Sequence, residues 1–475
     1  MSLFSRGYNG KSAMKFSSNL PEEKSDDNSV EVIPAPKIKL DPQQEEIVYS
    51  TDKNMIVVAG AGSGKTRVLT ERIRYLVETL HVPTHNIVSI TFTNMAAEEM
   101  KLRLKDVEGI GDAFIGTIHS FANHLMKESG EKYTLFNDDL DNQLHKELIE
   151  KYCTHLTMDR YLEYKNTQSL VETGKLPQKE LDNFFIPSER SDFNTLHASK
   201  ETVEADKKSN NPITFGESIE TLCKKRGIIT FDELLVKAKR YFEKLGATIE
   251  YVFVDEFQDV GTLEYNFIRA LNAQNYFFVG DDYQSIYGFK GGNVNIFLNL
   301  VNGKDFSTHF LTNNYRNGTD ILKLADTVIK QVNKRISKDI TPMINETGEV
   351  SVMTKEHLHT LMQSLQRTEN SFKDWFFLTR TNKELYDIVN LCIDLGIPYT
   401  TFKREGMSLA DINKQKSSRK LKILTVHTAK GLEIDNVILY GNFPVVTPPY
   451  RKNDDERKVM YVGVTRAKKR VIILN

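Results

Sequence analysis

Cysteine and tryptophan are scarce in this chain of 475 residues: there are three cysteines, Cys153, Cys223 and Cys392, and one tryptophan. Three distant thiols cannot supply a four-thiolate iron–sulfur cluster, and they are too few for a disulfide framework. No apolar run approaches the roughly 18 residues that a membrane-spanning helix needs. The N-terminus lacks the apolar core of a secretory signal, so the expectation is a cytoplasmic protein without membrane contact. Neither sign of charge is in excess, with 63 Lys and Arg against 64 Asp and Glu. A nucleic acid would therefore have to be held by a local groove rather than by the overall field.

Texture along the chain divides it. Residues 1–38, rich in Ser, Asn, Lys and Glu, read as a flexible leader. From Leu40, apolar runs alternate with helical patterns. Met55–Ala59 reads as a strand that ends in a glycine-rich turn, and a helical pattern follows through Leu76. Ile87–Phe92 reads as a second strand and Ala96–Leu104 as its helix. Such alternation predicts a parallel α/β sheet. Residues 122–228 are charged and helix-rich, and the polar stretch 188–212 within them reads as a surface loop. Strand patterns return at Tyr251–Val254 and Tyr276–Val279, then at Trp375–Leu378, Lys422–Val426, Asn436–Leu439 and Val471–Leu474. The expected layout is a first α/β domain over 39–121 and 229–293, interrupted by a helical insertion over 122–228, and a second over 294–475.

Ala59-Gly-Ala-Gly-Ser-Gly-Lys-Thr66 is the strongest local pattern. Gly62, Ser63 and Gly64 would turn successive backbone N–H groups toward phosphate oxygens at a helix N-terminus. Lys65 would reach the β- and γ-phosphates and Thr66 would offer its hydroxyl to Mg²⁺. Ala59 stands where the strict pattern has glycine. Such a loop needs a carboxylate at the end of a neighbouring strand, and Val252-Phe-Val-Asp255-Glu256 provides two. Asp255 would face the metal and Glu256 the attacking water, so the chemistry expected is ATP hydrolysis. Arg316 and Arg466, on the second domain, would add fixed positive charge opposite the loop.

Taken together, the motifs resemble those of superfamily 1 DNA helicases of the UvrD, Rep and PcrA type. The matching segments run in order: Leu40–Gln44, Thr91–Ala97, Gly116–Phe121, Asp255–Asp259, Gly280–Phe289, Asn314–Arg316, Val426–Glu433 and Tyr461–Ala467. The resemblance implies two RecA-like P-loop domains with ATP and Mg²⁺ between them. Gln44 would read the adenine, Arg67 and Tyr315 would sandwich it, and Glu433 would lie at the ribose or near the triphosphate. Gln284, Arg316 and Arg466 would act on the γ-phosphate. Phe92, Asn94, Thr117, His119, Tyr287, Phe289, Lys290, Thr425 and His427 would contact single-stranded DNA, whose bases stack on aromatic faces without sequence preference. The expected partners are single strands and their junctions with duplex, travel is 3′→5′, and the protein acts as a monomer. Its place would be the cytoplasm of a bacterium, or of the host if a phage encodes it.

The sequence also departs from the family's pattern. Phe289 stands for the usual Trp, Lys290 for Arg, and Met95 for Lys. Residues 403–419 read as a short polar loop where the family carries a large helical subdomain, and no fused further module is expected after Leu474. A duplex-separating helicase is the leading expectation. A translocase or motor in a larger complex, with a protein partner compensating for the missing subdomain, is the second. A DNA-sensing ATPase switch is the third.

Overall fold

The computed structural model describes residues 39–153, 155, 157–172, 179, 184–190, 219–288, 291–368, 372–401, 409–444 and 454–475. Of the leader it describes only two three-residue strands, Phe4–Arg6 and Ser12–Met14, paired antiparallel; its remainder lies outside the described residues, as do Phe289, Lys290 and most of the 188–212 loop.

The chain forms two compact units. The larger holds two six-stranded sheets. In the first, the strand order is Ser307–Leu311, Asn54–Ala59, Asn275–Gly280, Tyr251–Val254, Ile87–Thr91, Phe114–Thr117, and every pair is parallel. The central strands are continuous runs of Val, Ile and Phe because helices cover both faces of a parallel sheet. Val57, Phe253 and Val279 of the sheet pack against Val68, Leu69 and Ile73 of helix Lys65–Glu78. In the second sheet the order is Glu349–Met353, Ala467–Leu474, Ile434–Tyr440, Trp375–Thr379, Leu421–Thr425, Tyr399–Thr401, again parallel throughout. Its two faces feed separate cores, one around Phe376, Leu424 and Val437, the other around Trp375, Phe377 and Ile423.

The strand Ser307–Leu311 corrects the expected boundary at residue 294. It pairs with Asn54–Ala59 and completes the first sheet. As an edge strand reading Ser-Thr-His-Phe-Leu, it is only half-buried and lacks the apolar run that marks its neighbours. Leu409–Lys416 is a helix where the sequence reads as a loop. Its Leu, Ala, Gln and Lys residues are good helix formers, which the polar character of the stretch obscured.

The smaller unit comprises residues 122–241 with 381–383. Helices Asp138–Tyr152, Met158–Glu172 and Ile219–Arg226 dominate it, with a two-residue parallel pairing of Thr134–Leu135 and Ile228–Ile229. Leu144, Leu148, Ile149, Phe185 and Leu222 form its core. Within it, Asp141, His145 and Tyr161 make a buried polar chain, with the Tyr161 hydroxyl 2.7 Å from His145 Nε2. Among the described residues, no helix is long and apolar enough to cross a membrane.

Candidate active site

Parallel strands deliver their C-terminal ends to one edge of a sheet, where ligands of such folds bind. At that edge of the first sheet stand the phosphate loop after Ala59, Asp255 and Glu256 after Val254, and Asp281 after Gly280. Gly62 and Gly64 adopt left-handed φ of 64° and 85°. A Cβ on Gly62 would stand 2.7 Å from Arg316 Cβ, so a side chain there would fill the cradle. The Ser63 hydroxyl donates to the Gly60 carbonyl at 2.9 Å and closes the loop.

The Thr66 hydroxyl donates to Asp255 Oδ2 at 3.2 Å. Lys65 Nζ lies 3.9 Å from Glu256 Oε1. Consecutive strand residues ordinarily point to opposite faces; here Glu256 takes a left-handed φ of 51°, which ends the strand and sets both carboxylates beside the loop. Holding a non-glycine residue in that conformation costs about 1–3 kcal/mol, and such strain clusters at functional sites. Burial and the adjacent Glu256 carboxylate push Asp255 up, to about 6. Burial acts the same way on Glu256, but Lys65 and Lys430 outweigh it and hold the carboxyl at about 2.

A hydroxyl and a carboxylate in contact are the hard oxygen donors that Mg²⁺ selects, with phosphate oxygens completing its shell. Thr66 and Asp255 therefore fit that ion. Among the described residues no cluster of three or more His, Cys, Asp or Glu could hold another metal.

The second sheet supplies the opposite wall through the starts of its strands. Arg466 precedes Ala467–Leu474 and donates from Nη2 to Gln284 Oε1 at 3.1 Å. Arg316 Nε donates to Glu433 Oε2 at 2.7 Å, and Lys468 pairs with the other Glu433 oxygen at 2.8 Å. Both expected fingers are thus partnered. Asn314 ties Arg316 to the loop, donating to the Ala61 carbonyl at 2.7 Å while its Oδ1 accepts from Arg316 N–H.

Gln44, expected at the adenine, is 1% exposed and engaged at both ends, donating to the Ser63 carbonyl at 3.2 Å and accepting from Asp41 N–H at 3.3 Å. The Tyr315 hydroxyl donates to Asp41 Oδ2 at 2.5 Å, and Arg67 Nη2 donates to the Lys39 carbonyl at 2.8 Å. Residues 39–41 thereby join Tyr315 and Arg67 to one mouth.

A row of aromatic and hydroxyl side chains runs along the same unit. Phe92 and Tyr287 stack with centroids 5.2 Å apart. The Tyr287 hydroxyl donates to the His427 carbonyl at 3.0 Å, and the two rings lie 6.1 Å apart. Burial lowers His427 to about 4, so its imidazole is neutral at working pH. Thr425 caps helix Val426–Ala429, and Thr117 accepts from Ser120 N–H at 3.2 Å. Asn94 is exposed at the start of its helix; Thr117 and His119 are half-buried.

Residues 40–305 match the UvrD/REP helicase N-terminal domain, and residues 402–475 match the UvrD-like helicase C-terminal domain. The chain belongs to the UvrD/REP helicase family. It is 28% identical over 377 residues to the ATP-dependent DNA helicase PcrA of Leuconostoc citreum, covering 75% of this chain and 49% of that protein. A probable DNA helicase of Mycoplasma pneumoniae is 27% identical over 471 residues, 91% of this chain and 83% of that protein. PcrA of Staphylococcus epidermidis is 27% identical over 393 residues, 76% and 50% of the two chains. The chain spans about half the length of the PcrA relatives.

Three buried charges at this UvrD-type site escaped the sequence reading. Lys430 pairs with Asp259, lies 3.9 Å from Glu256 Oε2, donates to the Gln284 carbonyl at 2.9 Å and stands 4.9 Å over the Tyr287 ring. It stands beside both the Glu256 carboxylate and the Tyr287 ring. Asp281 accepts from Gln284 Nε2 at 2.6 Å. Lys338, from a stretch with no periodic pattern, is completely buried against Asp281 and Asp282. Lys430 and Asp281 lay inside quoted motifs, which was the available signal; Lys338 had none.

Proposed function

We propose that this protein is an ATP-dependent DNA helicase that hydrolyses ATP between its two sheets, translocates 3′→5′ along single-stranded DNA and separates duplex. The observation that carries the reading is the convergence on one phosphate loop of Lys65, Thr66, Asp255 and Glu256 from the first sheet with Arg466, bonded to Gln284, from the second. Membership of the UvrD/REP family and the names of its relatives support it. Direction of travel rests on the resemblance alone.

In the proposed reaction the loop's N–H groups and Lys65 bind the phosphates of ATP. Glu256, ionised at working pH, orients a water in line with the γ-phosphorus and accepts its proton as the new P–O bond forms. The bond to the β-phosphate oxygen breaks, giving ADP and phosphate. Arg316 and Arg466 neutralise the charge developing on the transferred group. Mg²⁺ on Thr66 and Asp255 would supply further charge neutralisation. Arg466 adjoins the second sheet, and Arg316 lies between strand Asn313–Asn314 and helix Thr319–Ile329, so both contact nucleotide only when these elements close on it; a ligand that binds one geometry better biases the cycle. The residues 426–433, which carry His427, Lys430 and Glu433, connect the end of one strand to the start of a parallel strand, a distance of about 20 Å. One short crossover therefore touches both the stacking rings and the ATP site.

A second reading, a motor that unwinds only with a protein partner, is favoured by the short stretch between Thr401 and Leu421 in place of the family's large helical subdomain. The test is ATP hydrolysis by the purified protein with and without an oligonucleotide, alongside Glu256→Gln. DNA-stimulated hydrolysis that falls by about 10²–10⁴ in the variant is expected, followed by unwinding of a 3′-tailed duplex. Hydrolysis indifferent to DNA overturns the motor reading; stimulated hydrolysis without unwinding selects the partner-dependent motor.

A further inference from the structure

We propose, resting on the ATPase reading above, that Lys338 is a positioning residue: through Asp281 it fixes the orientation of the Gln284 amide, and so sets where the Arg466 guanidinium stands. Lys338 lies in the irregular stretch between helix Thr319–Ile329 and Thr341–Pro342. Its Nζ is 2.6 Å from Asp281 Oδ1, donates to the Ala59 carbonyl at 2.8 Å at the root of the phosphate loop, and stands 4.0 Å over the Tyr283 ring. Asp282 Oδ1 is an ion-pair neighbour at 2.9 Å, off the line of a hydrogen bond, while Asp282 Oδ2 accepts from Ile336 N–H at 2.8 Å.

The polarity of the chain is what assigns the role. An ionised carboxylate only accepts hydrogen bonds, and lysine and arginine side chains only donate. With Asp281 ionised, Gln284 must turn Nε2 toward it, as the 2.6 Å contact shows. Oε1 is then the atom presented to Arg466, whose Nη2 donates to it at 3.1 Å. Every junction from Lys338 to Arg466 thus pairs a donor with an acceptor. The cost of burying a carboxylate this deep is offset by a charged partner beside it, and Asp281 and Lys338 are both 0% exposed at their side chains. Without the ammonium, Asp281 loses the contact at Oδ1 that holds its carboxylate facing Gln284. The Gln284 amide could then turn over and face Arg466 with Nε2, donor against donor, turning Nη2 away from Gln284 while Nε and Nη1 keep the Val462 and Leu432 carbonyls. The other charged or titratable groups around Asp281 are Asp282, Tyr283, Arg335, Lys458 and Tyr461, so removal of Lys338 leaves Lys458 and Arg335 as cations near this cluster.

The test compares wild type with Lys338→Met and Asp281→Asn. The second keeps Lys338 paired with Asp282 and decides alone if the first does not fold. Expected for both is a fall in kcat of at least about tenfold, with KM for ATP within about threefold of wild type, because orientation rather than binding is lost. A crystal structure of Lys338→Met is expected to show Arg466 withdrawn from Gln284. Unchanged kcat in the folded variants, or Arg466 still seated on Gln284, overturns the proposal. A wild type that does not hydrolyse ATP overturns the functional reading instead, and the crystallographic comparison still decides the relay.

Discussion

Phe92 and Tyr287 stack face to face, their planes 19° from parallel and their centroids 5.2 Å apart. That spacing leaves no room for a base between them. The free face of Phe92, a residue 41% exposed, is where a base would stack first, while Tyr287 is held from behind by the His427 carbonyl and by Lys430. Phe92→Ala is therefore expected to weaken binding of an oligothymidine by about 1–3 kcal/mol, roughly 5- to 150-fold in Kd, with the affinity for ATP unchanged. Fluorescence anisotropy with labelled oligonucleotide measures it, and a Phe92→Ala variant that binds as wild type removes this pair from the track.

The Thr66–Asp255 contact makes a metal-dependent prediction. Chelation with EDTA should abolish ATP hydrolysis, and added Mg²⁺ should restore it. Thr66→Val deletes one of the two oxygen donors and should raise the Mg²⁺ concentration for half-maximal rate by about tenfold. A Mg²⁺ titration at saturating ATP reads this directly; identical curves would mean that the hydroxyl does not serve the ion.

Glu433 carries a pH prediction with a definite sign. Burial raises its carboxyl, but Arg316 and Lys468 outweigh that and bring it down to about 2. A carboxylate whose folded pKa is depressed contributes stability that is present above its ordinary pKa of 4.5 and is lost as pH falls toward 2. The melting-temperature advantage of wild type over Glu433→Gln should therefore be constant above about pH 5 and shrink below it. An advantage that persists undiminished at pH 3 would mean that the ion pairs do not set it.

Gly62→Ala tests the cradle. The added Cβ would meet Arg316 Cβ at 2.7 Å and Asn314 Nδ2 at 2.9 Å, from a backbone at φ 64°. A destabilisation of about 1–3 kcal/mol is expected from the strain, read as a lower urea midpoint, together with weakened ATP binding. Wild-type values of both would show that the loop has slack there.

The alternation of apolar runs with helical patterns marked both sheets in the sequence, and each expected strand overlaps an observed one, because a buried parallel strand must be apolar on both faces. The glycine–lysine loop and the strand ending in Asp255-Glu256 were equally legible, since their chemistry is written in contiguous residues. The edge strand Ser307–Leu311 was not, because its exposure removes the apolar signature and only its pairing with Asn54–Ala59 defines it. The helix Leu409–Lys416 was hidden by its polar composition.

The buried charges were decided by tertiary structure alone. Lys338 reaches Asp281 across 57 residues of chain, Lys430 reaches Asp259 across 171, and Arg466 reaches Gln284 across 182. Local sequence sets a strand's periodicity and a loop's backbone freedom. Whether a lysine is a solvated surface charge or the buried partner of two carboxylates depends on which distant segments the fold closes around it, because the cost of burying that charge is met only by groups brought there from elsewhere in the chain.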